Sequence, residues 1–194
     1  MTLAIDAGST DVPLIEQTIG DNLEETVARF GDREALVVDH QGIRQTWNEF
    51  NASVDEVAKG LMSFGIAQGD RVGMWSPNYA EWVYVQFATA KIGAIQVNVN
   101  PAYRTSELEY AMNQSGCKIL VTRSEYLTSA YEDMVEQVRP NCPDLEHVVY
   151  FDTDDWAALL AAGESISDQD LRTRMASLSQ NDDINIQYTS GTTG

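Results

Sequence analysis

Between residues 71 and 99 the chain reads as an apolar run, a breaker, a helical stretch and a second apolar run, an order that leaves few folds open. Arg71-Val72-Gly73-Met74-Trp75 has the length of a short strand, and Ser76-Pro77-Asn78 interrupts it. Asn78 and Glu81 stand at capping spacing ahead of a helix that runs to about Ile92 and stops at Gly93. Ala94-Ile95-Gln96-Val97-Asn98-Val99 forms the next strand, closed by Asn100-Pro101. Strand, helix and strand within about 30 residues is a βαβ unit, whose strands are parallel and whose crossover is right-handed.

The alternation extends in both directions. Upstream, residues 1–20 are polar and aperiodic and read as an arm, followed by a short helix over Asp21 to Phe30. Ala35-Leu36-Val37-Val38 and Ile43-Arg44-Gln45-Thr46 flank a turn at Gln41-Gly42, giving a small hairpin. Thr46 and Glu49 have capping-box spacing, and Phe50, Val54, Val57, Ala58, Leu61 and Phe64 then recur at helical spacing, up to Gly65 and Gly69. Downstream, a helix over about 106–114 ends at Gly116, and Lys118 to Thr122 is a strand. A helix fills roughly 125–138, His147 to Phe151 is a strand, two short helices lie between 154 and 177, and Ile184 to Tyr188 is the last strand. The fold class is α/β, a mostly parallel sheet with helices on both faces.

Charge narrows the ligands. Twelve Lys and Arg against 30 Asp and Glu give a net charge of −18, so no basic stripe exists to neutralise a nucleic-acid backbone. The acidity is spread along the chain as a solvated surface, and an anionic substrate must be held by backbone dipoles and hydroxyls. The stretch 144–183, with ten Asp/Glu and two Arg, reads as a loosely packed surface excursion. Two Cys and two His without ligand spacing make no zinc site, and Asp154-Asp155 and Asp182-Asp183 fit neither a calcium loop nor a Mg2+ pair. No signal peptide stands at the N-terminus, and Gln86, Lys91, Gln96 and Asn98 interrupt the most apolar stretch, so no transmembrane segment is expected and the setting is cytoplasmic. Oligomeric state is left open.

The chemistry gathers at the end. Tyr188 is followed by Thr189-Ser190-Gly191-Thr192-Thr193-Gly194: four hydroxyl side chains and two glycines directly after a strand. Glycines let successive amides point inward as a nest, hydroxyls add neutral donors, and ligands of open α/β sheets bind outside the carboxyl ends of the strands. A polyphosphate suits such a loop, although the GxxxxGK[ST] spacing is absent. On physical grounds alone, a Ser/Thr-rich turn stands on equal terms with a phosphate cradle. Other residues yield to plainer readings. Val83, Phe87 and Ala90 form a core stripe, so Trp82, Tyr84 and Phe87 are core rather than an acyl surface. Arg104 and Arg123 are solvated charges, and Cys117 is a small buried residue rather than a nucleophile.

The run Tyr188 to Gly194 resembles the phosphate-loop signature of the AMP-forming adenylating enzymes: acyl-CoA synthetases, luciferases and peptide-synthetase adenylation domains. Thr46 to Phe50, Gly69 to Val72, Ser76 to Asn78, Lys91 to Ala94 and Asn100-Pro101 follow in the family's order, so the resemblance covers about residues 20–194. Asn98 to Tyr103 and Glu107 to Tyr110 resemble the fatty-acyl-CoA synthetase branch. The resemblance implies the N-terminal part of the large domain of such an enzyme. Residues 21–194 would be an incomplete AMP-binding domain, with the C-terminal domain and every catalytic residue beyond residue 194. It implies attack of a carboxylate on the α-phosphate of ATP, then thioester formation with coenzyme A, with Mg2+ offsetting phosphate charge. Thr189, Ser190, Gly191, Thr192, Thr193 and Gly194 would hold the triphosphate. No metal ligand is assigned, and a 194-residue piece alone would be inactive. The alternatives are an aryl or amino acid adenylating enzyme, and a non-catalytic α/β nucleotide-binding module.

Overall fold

The structure is a computed structural model that describes residues 7–9 and 11–188. Helix α1 (Ile19–Phe30) opens the fold, its first turn capped by the Thr18 hydroxyl, which accepts from the Asp21 amide at 3.0 Å. It begins two residues earlier than expected, inside the stretch read as an arm. Strands β1 (Glu34–Val38) and β2 (Ile43–Thr46) pair antiparallel across a turn closed by Gly42 in the left-handed conformation. Helix α2 (Trp47–Ser63) starts from the expected capping box: Thr46 Oγ1 accepts from the Glu49 amide, and Glu49 Oε2 accepts from the Thr46 amide.

The main body follows as β3 (Arg71–Trp75), α3 (Ala80–Ile92), β4 (Ile95–Val99), α4 (Thr105–Ser115) and β5 (Cys117–Thr122). A two-residue strand pair, β6 (Glu125–Tyr126) and β7 (Ser129–Ala130), precedes α5 (Tyr131–Val138). Then come β8 (His147–Tyr150), α6 (Asp154–Gly163), α7 (Asp168–Ala176) and β9 (Asn185–Gln187). Five strands form one parallel sheet in the order β8-β5-β3-β4-β9. One face, with Val72, Met74, Ile119, Val121 and Val149, packs under α1, α2, α3, α6 and α7. The other, with Val97, Val99 and Leu120, packs under α4 and α5. Both faces are covered, as a parallel sheet requires.

Two expectations are corrected. The helix placed at 125–138 begins only at Tyr131, because residues 125–130 double back as the β6–β7 hairpin. The stretch 144–183 is not loosely packed: Leu159 and Leu171 enter the core, and α6 lies against α2 at a glycine contact between Gly60 and Gly163. Its sparse apolar residues concealed this, since a close backbone approach needs glycine rather than bulk. The stripe Val83, Phe87 and Ala90 faces the core, Ala90 buried and the other two packed half-buried against it, beside the fully buried Val85, Ala88 and Ile92.

A polar clamp joins the three helices on this face. The fully buried Lys91 ammonium donates to Asp55 Oδ1 at 2.6 Å, to Asn51 Oδ1 at 2.7 Å and to Glu24, so α3 holds both α2 and α1. Burial pushes the Asp55 carboxyl above its ordinary range, with Lys91 pulling it back. Removing one partner of such a group strands the others, at a cost of about 3–5 kcal/mol.

The α2–α6 contact makes Gly60 testable. A Cβ there would meet the Leu159 carbonyl oxygen at 2.7 Å and Leu159 Cγ at 2.9 Å. Gly60→Ala therefore lowers the thermal midpoint by roughly 2–6 °C, overpacking exceeding the gain in helix propensity of about 1 kcal/mol. An unchanged or raised midpoint in thermal denaturation contradicts the close contact.

Candidate functional site

Parallel strands send all their carboxyl ends to one edge of the sheet, and the chain leaves that edge in two directions. From β3 it passes to α3 on one face, and from β4 to α4 on the other. The opening between such strands is where open α/β sheets bind ligands. Here it is a crevice of about 330 Å3. Ser76 and Asn78 line it from the β3–α3 turn, Trp82 from the first turn of α3, Asn98 to Pro101 from the end of β4, and Gln187 and Tyr188 from the end of β9.

The crevice walls are held from behind. Trp75, the last residue of β3, is fully buried, stacks on Tyr131 at 3.9 Å between ring centroids, and donates from Nε1 to the Asn100 carbonyl at 3.0 Å. The Tyr131 hydroxyl donates to the Pro101 carbonyl at 2.7 Å, and Asn100 Oδ1 accepts from the Ala102 amide at 2.9 Å. Two aromatic side chains thus fix the turn after β4. The Tyr188 hydroxyl donates to the Ala111 carbonyl at 3.2 Å, fixing the exit of β9. Burial raises the pKa of both tyrosines, so both remain proton donors.

The start of α3 is also held from a distance. Asn78 does not cap it; the N-cap is Tyr79, with no side-chain bond. Instead Gln41, from the turn between β1 and β2, accepts from the Ala80 amide at 2.8 Å through Oε1 and donates from Nε2 to Glu81 at 2.9 Å. Local spacing pointed to Asn78 because a cap supplied 39 residues away in sequence carries no local signal.

Among the described residues, no charged side chain lines the crevice. Arg104 donates to Ser129 Oγ at 2.8 Å and its amide to Glu107, while Arg123 is held by Asp152 at 3.1 Å and lies over the Tyr79 ring. Both arginines serve the protein's own packing. Trp82 is the exception to its reading as core, since one side packs on the core and the other faces the crevice. A larger hollow of about 450 Å3 between α1, α2 and α7 has Asp21, Glu24, Asp55, Asp168 and Arg172 as its charged lining. Glu24 and Asp55 are held by Lys91 and Asp168 by Lys59, so these carboxylates serve the protein's own ion pairs, and the hollow lies away from the carboxyl ends. The six residues expected to hold phosphate, Thr189, Ser190, Gly191, Thr192, Thr193 and Gly194, lie outside the described residues. The structure places the strand that leads to them.

Residues 23–194 match the family described as AMP-binding enzyme. The chain belongs to that family. Among its relatives, the Mus musculus protein named medium-chain acyl-CoA ligase ACSF2, mitochondrial, is 42% identical over 206 aligned residues, covering 96% of this chain and 34% of the relative. The Homo sapiens protein of the same name is 41% identical over the same shares. A solved anthranilate CoA ligase, AuaEII, in complex with anthranoyl-AMP, superposes with a TM-score of 0.70 at 25% identity, over 95% of this chain and 33% of that one. The N-terminal domain of FACL13 from Mycobacterium tuberculosis shares the fold, with a TM-score of 0.69 at 22% identity, over 90% of this chain and 42% of that one. This member of the AMP-binding family spans about a third of the length of the curated relatives it matches. Among the described residues no helix is long and apolar enough to cross a membrane, and no group of three or more His, Cys, Asp or Glu is placed to hold a metal.

The two thiols belong to the core. Cys117 and Cys142 are free and buried, and burial pushes the Cys117 thiol up to about 12. Neither is labelled by a thiol reagent at neutral pH until the protein unfolds; fast stoichiometric labelling of the folded protein contradicts a purely structural role.

Proposed function

We propose that this chain forms the phosphate-binding part of an ATP-dependent acid–thiol ligase that adenylates a fatty acid and passes the acyl group to coenzyme A. The carrying observation is the neutral crevice at the carboxyl ends of β3, β4 and β9, directly before the Ser/Thr/Gly run of residues 189–194. Family membership supports the adenylation chemistry, and the relatives' names support an acyl substrate of medium chain length. In this reading Thr189, Ser190, Gly191, Thr192, Thr193 and Gly194 cradle the triphosphate through amides and hydroxyls while pyrophosphate leaves. Their contribution is positioning and electrostatic stabilisation without proton transfer. The nucleophiles are the substrate carboxylate and then the coenzyme A thiol, so the described residues need supply none.

Mg2+ enters this reading on the ATP. A bound Mg2+ takes phosphate oxygens, waters and one or two carboxylates, and the crevice offers amides and hydroxyls but no carboxylate. The described residues therefore do not make a resident metal site, and no step here runs through one. The proposed domain arrangement is an arm over residues 1–20 and an AMP-binding unit over 21–194, continued elsewhere by the acyl pocket and the catalytic groups. The cytoplasmic setting stays a proposal, and the mouse relative is named mitochondrial.

The anthranilate ligase neighbour favours a second reading, in which the carboxylate is aromatic. Pyrophosphate release by the whole protein that carries this sequence decides between them: a fatty acid drives it in the first reading, an aryl acid in the second. Thr192→Ala combined with Thr193→Ala removes most of that release, about tenfold or more for two lost bonds to charged oxygens. Unchanged turnover overturns the loop assignment, and no release with any carboxylate leaves a non-catalytic binding module.

A further inference from the structure

Four carboxamide side chains stand together on one face of two neighbouring strands. Gln96 and Asn98 are two residues apart in β4 and project to the same side, and the register with β9 sets Gln96 opposite Asn185 and Asn98 opposite Gln187. Elsewhere this face carries Val72, Met74, Ile119 and Val121, so the amides break an apolar surface. Three of them are joined head to tail. Gln96 Nε2 donates to Asn98 Oδ1 at 2.7 Å, and Asn98 Nδ2 donates to Gln187 Oε1 at 2.9 Å. Gln96 is fully buried, Asn98 half-buried and Gln187 exposed, and the last two line the crevice. The relay runs from the core to the candidate site.

Its buried end sets its direction. Each amide can turn over about its last bond, and turning all three reverses every hydrogen bond. In the observed order Gln96 Oε1 is a buried acceptor without a partner among the described residues. Reversal puts an NH2 group in that place, and an orphaned buried donor is rarer in proteins than an under-satisfied carbonyl. The acceptor therefore stays inside, and the relay presents Gln187 Nε2 at the crevice, where no described residue accepts from it. Each bond in such a chain polarises the next, which makes the outermost NH2 a better donor. A protein of net charge −18, with no cation among the described residues that line the crevice, needs neutral donors of this kind.

We infer that Gln187 is an anion-binding residue: its Nε2, oriented by Asn98 and Gln96, donates to an anionic oxygen of the substrate held in the crevice. The inference rests on the ligase reading and adds a side chain outside residues 189–194. The oxygen belongs either to a phosphate of ATP or to the substrate carboxylate. Asn98 and Gln96 are positioning residues that act through Gln187.

The test measures carboxylate-dependent pyrophosphate release by the whole protein, with KM for ATP and KM for the fatty acid determined separately. A hydrogen bond to a charged group is worth about tenfold or more in affinity, so Gln187→Met raises one of the two KM values by about that factor with kcat unchanged. Asn98→Leu raises the same KM by a smaller factor, and the double variant is no worse than Gln187→Met alone. A rise for ATP assigns the phosphate oxygen, and a rise for the fatty acid assigns the carboxylate. Where Asn98→Leu does not fold, Gln96→Met cuts the relay one step deeper with the same expectation. A working ligase whose KM values are untouched by Gln187→Met overturns this inference alone, as does an Asn98 effect that adds fully to that of Gln187. A wild-type protein that releases no pyrophosphate with any carboxylate overturns the ligase reading and this inference with it.

Discussion

A parallel sheet delivers all its carboxyl ends to one edge, and the rest of this structure depends on what happens there. The chain turns to one face after β3 and to the other after β4, so the two strands part at that edge with no helix between them. The crevice is a consequence of connectivity before it is a matter of side chains. Burial on both faces then makes it rigid. Trp75 and Tyr131 grip the Asn100-Pro101 turn from within the core, and Tyr188 is tied to α4.

The crevice is neutral in a strongly acidic protein, and these two facts belong together. Surface carboxylates keep the molecule soluble but repel a polyphosphate at long range. Lysines that could offset this are committed elsewhere: Lys91 to the α1–α2–α3 clamp, Lys59 to Asp168, and Lys118 to Asp70 at 3.2 Å. An anion bound in the crevice would therefore be held by amides and hydroxyls, which need orientation to be effective. The support behind the crevice supplies that orientation, through aromatic hydrogen bonds on one side and the Gln96–Asn98–Gln187 relay on the other.

Much of the architecture was legible in the sequence, and the exceptions share one cause. The βαβ unit, the Thr46–Glu49 capping box and the helix stops at Gly93 and Gly116 are written in local spacing, and the structure has them where the spacing puts them. What local spacing misses is contact at a distance. Gln41 caps a helix that Asn78 seemed placed to cap, and Gly60 meets Gly163 across a stretch whose acidity suggested loose packing. The Leu127 turn bends residues 125–130 into a hairpin with a positive φ that no glycine announces. At the candidate site, the strand end before the Ser/Thr/Gly run was legible, while the supports behind the opposite walls were not. Trp75, Tyr131 and the amide relay look like ordinary strand and helix residues until the register brings them together.

Amide hydrogen exchange of the whole protein with and without MgATP tests the central claim, that anionic substrate binds at the carboxyl ends of β3, β4 and β9. The account predicts slowed exchange at residues 98–100 and 187–194, with the amino-end turns at 66–70 and 93–95 unaffected. Protection confined to the amino ends, or to the acidic hollow between α1, α2 and α7, contradicts it.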